Sequence, residues 1–149
     1  MVWKPNVTVA AVVERDGKFL LVEEQTKDGI RLNQPAGHLE ANESILAAVK
    51  RETLEETAHE FQPEQITGIY RWAKPESQLT YLRFAFSGQL GRHHPDRQLD
   101  VGIIRAVWLS HEEILGSVDR HRSPLVVRCV EDFLAGQRFS IEALVDCTG

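Results

Sequence analysis

The first apolar run of the chain, Val7 to Val13, is rich in β-branched residues and predicts a strand. Asp16-Gly17 follows as a hairpin signal, and Phe19-Leu-Leu-Val22 predicts the returning strand. Thr26 to Gly29 is a polar turn. Leu32 to Gly37 continues as non-helical chain, because Pro35 stops any helix there. Beyond Asn42 an Ala/Val/Leu-rich run predicts a helix over residues 44–57, with Asn42 or Ser44 able to cap it. Gln65 to Trp72 predicts a strand and Lys74-Pro75-Glu76-Ser77 a turn. Thr80 to Phe86 alternates strongly, so Leu82, Phe84 and Phe86 share one face and Arg83 takes the other. Gly91 to Gln98 reads as a polar loop, and Ile103 to Leu109 as a further strand. Ser110 caps a short helix near Glu112-Glu113. Ser123-Pro124 opens a last helix that runs to about Leu134 and stops at Gly136, since proline suits a first helical turn. Strands on both sides of an early helix, with another helix at the end, predict a layered α/β fold. No repeat, linker or low-complexity tract interrupts the chain.

Composition narrows the possibilities without identifying an activity. With 149 residues, 42% hydrophobic and 26% charged, the chain has the profile of one globular domain. A formal charge of −5 leaves no electrostatic footprint for nucleic acid. No apolar stretch approaches the length of a membrane span, and the N-terminus lacks the pattern of a signal peptide, so a cytoplasmic location is expected. Cys129 and Cys147 are too few for a disulfide framework, and Cys129 falls in an apolar helical pattern expected to bury its thiol.

The chemistry concentrates between Gly37 and Glu56. Gly37 is followed at fixed spacing by Glu43, Arg51-Glu52 and Glu55-Glu56. On a helix, Glu52, Glu55 and Glu56 stand at i, i+3 and i+4 and share one face, where like charges cost about 0.2–0.5 kcal/mol per pair. An isolated Glu-x-x-Glu-Glu is more often a solvated helix face. A cluster of hard oxygen donors is also what Mg²⁺ takes together with substrate phosphates. Arg51 adjoins the cluster and can hold a carboxylate at two points. Gly37 leaves its carbonyl open to a metal where a Cβ would intrude. At average residue usage the six positions coincide by chance with a probability of roughly 10⁻⁵, which selects the chemical reading over the solvated face.

This pattern resembles the Nudix box, and the chain is similar to the Nudix hydrolases. The resemblance implies a Nudix α/β/α sandwich around a mixed β-sheet, with residues 1–149 as a single domain. It implies a divalent-metal enzyme cleaving phosphoric anhydride bonds: Glu52, Glu55, Glu56 and the Gly37 carbonyl hold Mg²⁺, for which Mn²⁺ can substitute, while Arg51 orients the carboxylates and Glu43 braces the junction of loop and helix. One glutamate, or a nearby acid, takes the proton of the attacking water, and the sequence does not say which. Three box positions depart from the family pattern. Thr53 stands where an aliphatic residue is usual, Ala58 where glycine closes the helix, and His59 where an aliphatic residue follows. These concern packing; the carboxylates are intact.

Further segments, Trp3 to Ala10, Asn33 to Ala41, and Arg122-Ser-Pro-Leu-Val126 with Gly136-Gln-Arg138, resemble a phosphatase branch of the family. That branch removes phosphate from nucleoside tri- and diphosphates and from hydroxymethylpyrimidine pyrophosphate. The expected partner is therefore a small nucleotide or pyrimidine diphosphate, not nucleic acid or membrane, and the expected assembly a monomer or small homo-oligomer. Two other readings stay open: a pyrophosphatase for nucleotide sugars or dinucleotides, and a nucleotide-sensing module without catalysis, which would be expected to have lost box carboxylates. Arg83 is a candidate for a substrate phosphate, or else a surface salt bridge. Arg71 and Trp72, with Lys74, are candidates for framing a base; Trp72 alone would also suit a core or rim. Many Nudix enzymes carry an extra acidic ligand near Asp100, although the usual position holds Gly102 here. His93-His94 reads as part of a solvated loop, and His38 as packing beside Gly37.

Overall fold

A computed structural model describes residues 1–148. Its strands form two sheets. The larger has the order β5 (Ala36–His38), β1 (Asn6–Val12), β7 (Thr80–His93), β6 (His59–Ala73), β9 (Phe139–Ser140). β1 and β7 run parallel while the other neighbours are antiparallel, so the sheet is mixed. In the smaller sheet β3 (Lys18–Thr26) pairs with β2 (Glu14–Arg15), β4 (Gly29–Asn33) and β8 (Ile103–Ser110).

Two apolar clusters lie on opposite faces of these strands. One gathers Val9, Ala11, Phe61, Ile66 and Phe86 with Ala48 and Val49 of α1 (Ile45–Thr57). The other gathers Ala10, Phe19, Leu21, Tyr70 and Ala85 with Ile114 of α2 (His111–Leu115) and Leu125, Val126, Cys129 and Val130 of α3 (Leu125–Leu134). Val9 and Ala10 divide between the clusters because successive strand residues point to opposite faces. Helices thus cover both faces of a mixed sheet, as the Nudix resemblance implied. No helix among the described residues is long and apolar enough to cross a membrane.

Ser44 is the cap of α1, its hydroxyl accepting from the Ala47 amide at 3.0 Å, while Asn42 sits in the preceding turn with φ +66°. Ala58 closes the helix in the left-handed conformation, φ +60°, at a cost relative to glycine of about 1 kcal/mol or less. Thr53, fully buried, satisfies its hydroxyl by donating to the Val49 carbonyl at 2.7 Å, which explains how a polar residue fits an apolar position. Ser110 forms a reciprocal capping box with Glu113 on α2.

β6 and β7 extend well beyond the expected segments. β6 begins at His59, and Pro63 is accommodated at a register shift between Pro63 and Gln65. β7 continues to His93, so Gly91 to His93 is strand where a loop was expected. Glycine weakens a strand signal, yet Gly88 is required here: a Cβ would collide with the Gln62 carbonyl of the paired strand. The His93 ring stacks on His59 at 4.2 Å, and His94 bonds Glu60 at 2.7 Å. The strands β4 and β5 were not expected from the sequence, being too short for alternation to register.

Candidate active site

α1 presents its carboxylates where its exposed edge meets β5. Glu52 and Glu56 are buried, at 8% and 9% exposure, and Glu55 is half-buried. Burial raises the proton affinity of all three: Glu52 and Glu55 titrate above the usual carboxylate range, and Glu56 is pushed up to about 8. The amide of Ala36 offsets part of this by donating to Glu56 Oε1 at 3.0 Å, which also ties α1 to β5.

Arg51 is the hub. It meets Glu43 at two points, Nε to Oε2 at 2.9 Å and Nη2 to Oε1 at 2.8 Å. Nη1 donates to Glu52 Oε1 at 2.8 Å and to Glu55 Oε2 at 3.1 Å, and Nη2 to the His38 carbonyl at 3.0 Å. These contacts hold Arg51 in its charged form and Glu43 below the usual carboxylate range. Glu43 also accepts from the Glu40 amide at 2.8 Å. One guanidinium therefore joins the loop, the start of α1 and two carboxylates of its functional face.

The donor set suits a hard divalent cation. Oxygens of Glu52, Glu55 and Asp100 lie within 4.8 Å of one another. Asp100 reaches this position because its amide donates to the Glu55 carbonyl at 3.0 Å. Glu56 is outside this trio and instead faces a cleft of about 450 Å³ beside Glu52. Gly37 lies against Glu52 so closely that a Cβ would overlap the carboxylate. The cradle requires glycine for space, not for a special φ.

The cleft places the remaining candidates. Arg83 lines it, on the strand face opposite Leu82, Phe84 and Phe86 as alternation requires. It is not a surface residue and has no carboxylate partner among the described residues. At 5% exposure it donates from Nη1 to Gln34 Oε1 at 2.9 Å and from Nη2 to Asn33 Oδ1 at 3.0 Å. Trp72 lines the cleft stacked on Tyr81, with ring centroids 5.8 Å apart. Arg71 is exposed and does not line the cleft, because β-strand alternation turns it away from Trp72. Lys74 and His38 also line the cleft. His93 and His94 stand apart from the acidic cluster. Sequence pattern alone did not reveal Gln34, whose side chain is buried between Arg83 and α3; a lone glutamine before Pro35 carries no motif.

Comparison with known proteins agrees with this arrangement. Residues 3–129 match the family model of the NUDIX domain. The chain is 41% identical over 144 residues to the Phosphatase NudJ of Escherichia coli strain K12, spanning 97% of this chain and 93% of that protein. It superposes on a NUDIX hydrolase from Nitrosomonas europaea with a TM-score of 0.93 and 56% identity, covering 96% of this chain and 97% of the other. A MutT protein from Methanosarcina mazei Go1 shares the fold, with a TM-score of 0.71 and 23% identity over 92% of this chain and 99% of its own. The chain belongs to the Nudix hydrolase family, enzymes acting on phosphoric anhydride bonds.

Proposed function

We propose that this protein is a Mg²⁺-dependent phosphatase that releases orthophosphate from nucleoside tri- and diphosphates, and from hydroxymethylpyrimidine pyrophosphate, with residues 1–149 acting as one domain. The observation that carries the reading is a single cleft lined by Glu52, Glu56 and Gly37 together with Arg83 and Trp72. The likeness to Phosphatase NudJ supports the choice of reaction within the family.

Glu52, Glu55, Asp100 and the Gly37 carbonyl are the groups that would hold the cation, with Glu56 beside them. A bound divalent cation neutralises phosphate charge and makes a water more acidic. Arg51 keeps Glu52 and Glu55 oriented while Glu43 fixes Arg51, so the carboxylates need little rearrangement during reaction. One of the clustered carboxylates takes the proton of the attacking water. Arg83 binds a phosphate of the substrate, and Trp72 offers its ring to the base. Burial of Glu52 and Glu56 keeps bulk water from the acidic end, which strengthens each electrostatic contact there.

The test is a substrate panel with Mg²⁺ in which orthophosphate and pyrophosphate are measured separately. GTP and GDP should release orthophosphate, and a dinucleotide such as diadenosine tetraphosphate should react much more slowly. Pyrophosphate alone from GTP would instead assign an internal cleavage, and no hydrolysis of any member would leave the nucleotide-sensing reading.

A further inference from the structure

Arg83 is a buried cation with a neutral coordination sphere. Its partners are the amide oxygens of Gln34 and Asn33 and, at 3.8 Å from Nη1, the sulfur of Cys129. Nε has no partner. Burial keeps the Cys129 thiol protonated, so it supplies no countercharge. Arg51, Arg105, Arg122 and Arg128 all have carboxylates within ion-pair distance, whereas Arg83, far more buried, has none among the described residues. A guanidinium taken out of water without a countercharge is costly, and a cleft opening onto it is where an anion restores the balance.

The cradle is rigid. Gln34 is 1% exposed, and its Nε2 donates to the Val126 carbonyl at 2.8 Å while its Oε1 faces Arg83. Arginine only donates and a carbonyl only accepts, so these two contacts fix the amide in one orientation. Arg83 is paired with Thr8 and Thr8 with His38, which sets its backbone two strand spacings, about 10 Å, from that of β5. The N-terminal turn of α3, contributing Leu125 to the cleft wall, adds the positive end of its dipole to the same side.

We propose that Arg83, held by Asn33 and Gln34, is a cation-independent phosphate station in the cleft that Glu52 and Glu56 also line. Its ligand is a tetrahedral phosphate group, either free orthophosphate or the phosphate of a monoester. Asn33 and Gln34 are positioning residues that keep Arg83 aimed and free of a countercharge. This rests on reading the cleft as a phosphate-binding site, but it does not depend on which bond is cleaved.

Binding to the full chain in EDTA tests it, by calorimetric titration or ³¹P NMR, with inorganic phosphate in one arm and GMP in the other. Wild type should bind at least one of them; phosphate alone identifies the free anion, and GMP alone the ester. Gln34→Glu keeps the shape of the side chain, gives up the bond to the Val126 carbonyl and sets a carboxylate against Arg83. It should weaken binding by about tenfold or more while retaining wild-type far-ultraviolet circular dichroism. Arg83→Met should lose binding to the same extent. A purely structural Arg83 would leave ligand binding unchanged in Gln34→Glu. That result, or binding of neither ligand by wild type without a cation, would overturn the proposal. A failed substrate panel with this binding intact would remove the assigned reaction and leave the station standing.

Discussion

Arg51 and Glu43, eight residues apart in the chain, meet at two points, at 2.9 Å and 2.8 Å, across the junction where the loop enters α1. Both are partly shielded, with side-chain exposures of 22% and 15%. The pair explains how a chain tolerates acidic side chains in one small region: the same guanidinium that Glu43 fixes also meets Glu52 and Glu55. Arg51→Lys retains the charge and loses the planar fork. It should lower stability by about 1–2 kcal/mol in denaturant titration, since contacts to charged groups at this exposure are worth about that much. The requirement for Mg²⁺ should rise in parallel as the carboxylates lose their orientation. A lysine variant matching wild type in both measurements would remove Arg51 from its place as organiser.

Gly37 gives a separable prediction. In Gly37→Ala the added methyl meets the Glu52 carboxylate, the far end of a flexible side chain, rather than backbone. The fold should accommodate it with a small change in melting temperature, while Glu52 is displaced from the cradle. Mg²⁺ affinity, read as the concentration for half-maximal activity, should weaken by about 10–100-fold, the range seen when metal ligands lose their support. A large fall in melting temperature with unchanged Mg²⁺ dependence would make the glycine structural.

The carboxylates also predict how stability follows pH when no divalent cation is present. Glu56 titrates near 8 in the folded chain, above its ordinary value of 4.5, chiefly because it is buried. A carboxyl shifted upward holds its proton more tightly when folded. Its contribution to stability is full below about 4.5 and is lost as pH rises through about 8. With about 1.4 kcal/mol per pKa unit, the loss is on the order of a few kcal/mol. Glu52 and Glu55 shift in the same direction. In EDTA the melting temperature should therefore fall between about pH 5 and about pH 9, and Glu56→Gln, which mimics the protonated form, should flatten the curve. Cation affinity should rise over the same window, because binding requires the ionised form. A wild-type melting temperature that rises from pH 5 to 9 in EDTA would contradict the assignment.

The layered fold was legible because long alternation and the box helix both carry period. Residues Val7 to Val13 and Ser44 to Thr57 fall on β1 and α1 to within one residue at their ends, and Thr80 to Phe86 is the first half of β7. Signal was lost where glycine, proline or histidine interrupted β6 and β7, since a paired strand can absorb them through register shifts that no local pattern announces. The box was legible as chemistry because its positions are fixed on one helix and its loop. Asp100 and Gln34 were harder. Asp100 joins Glu52 and Glu55 through a backbone bond to α1, and Gln34 acts through α3, so both depend on contacts distant in sequence. Arg83 shows the limit within one residue: alternation gave the correct face, but whether that face met solvent or a buried cradle depended on α3 and the chain before Gly37.

Steady-state GTP hydrolysis by wild type and Glu56→Gln, side by side at saturating Mg²⁺, tests whether the carboxylate face of α1 carries cation-dependent hydrolysis. Glutamine keeps the size of the side chain and removes its charge. In Glu56→Gln, kcat should fall by about 10²-fold or more, with melting temperature in EDTA equal to or above that of wild type. Turnover near the wild-type rate in Glu56→Gln would contradict that role.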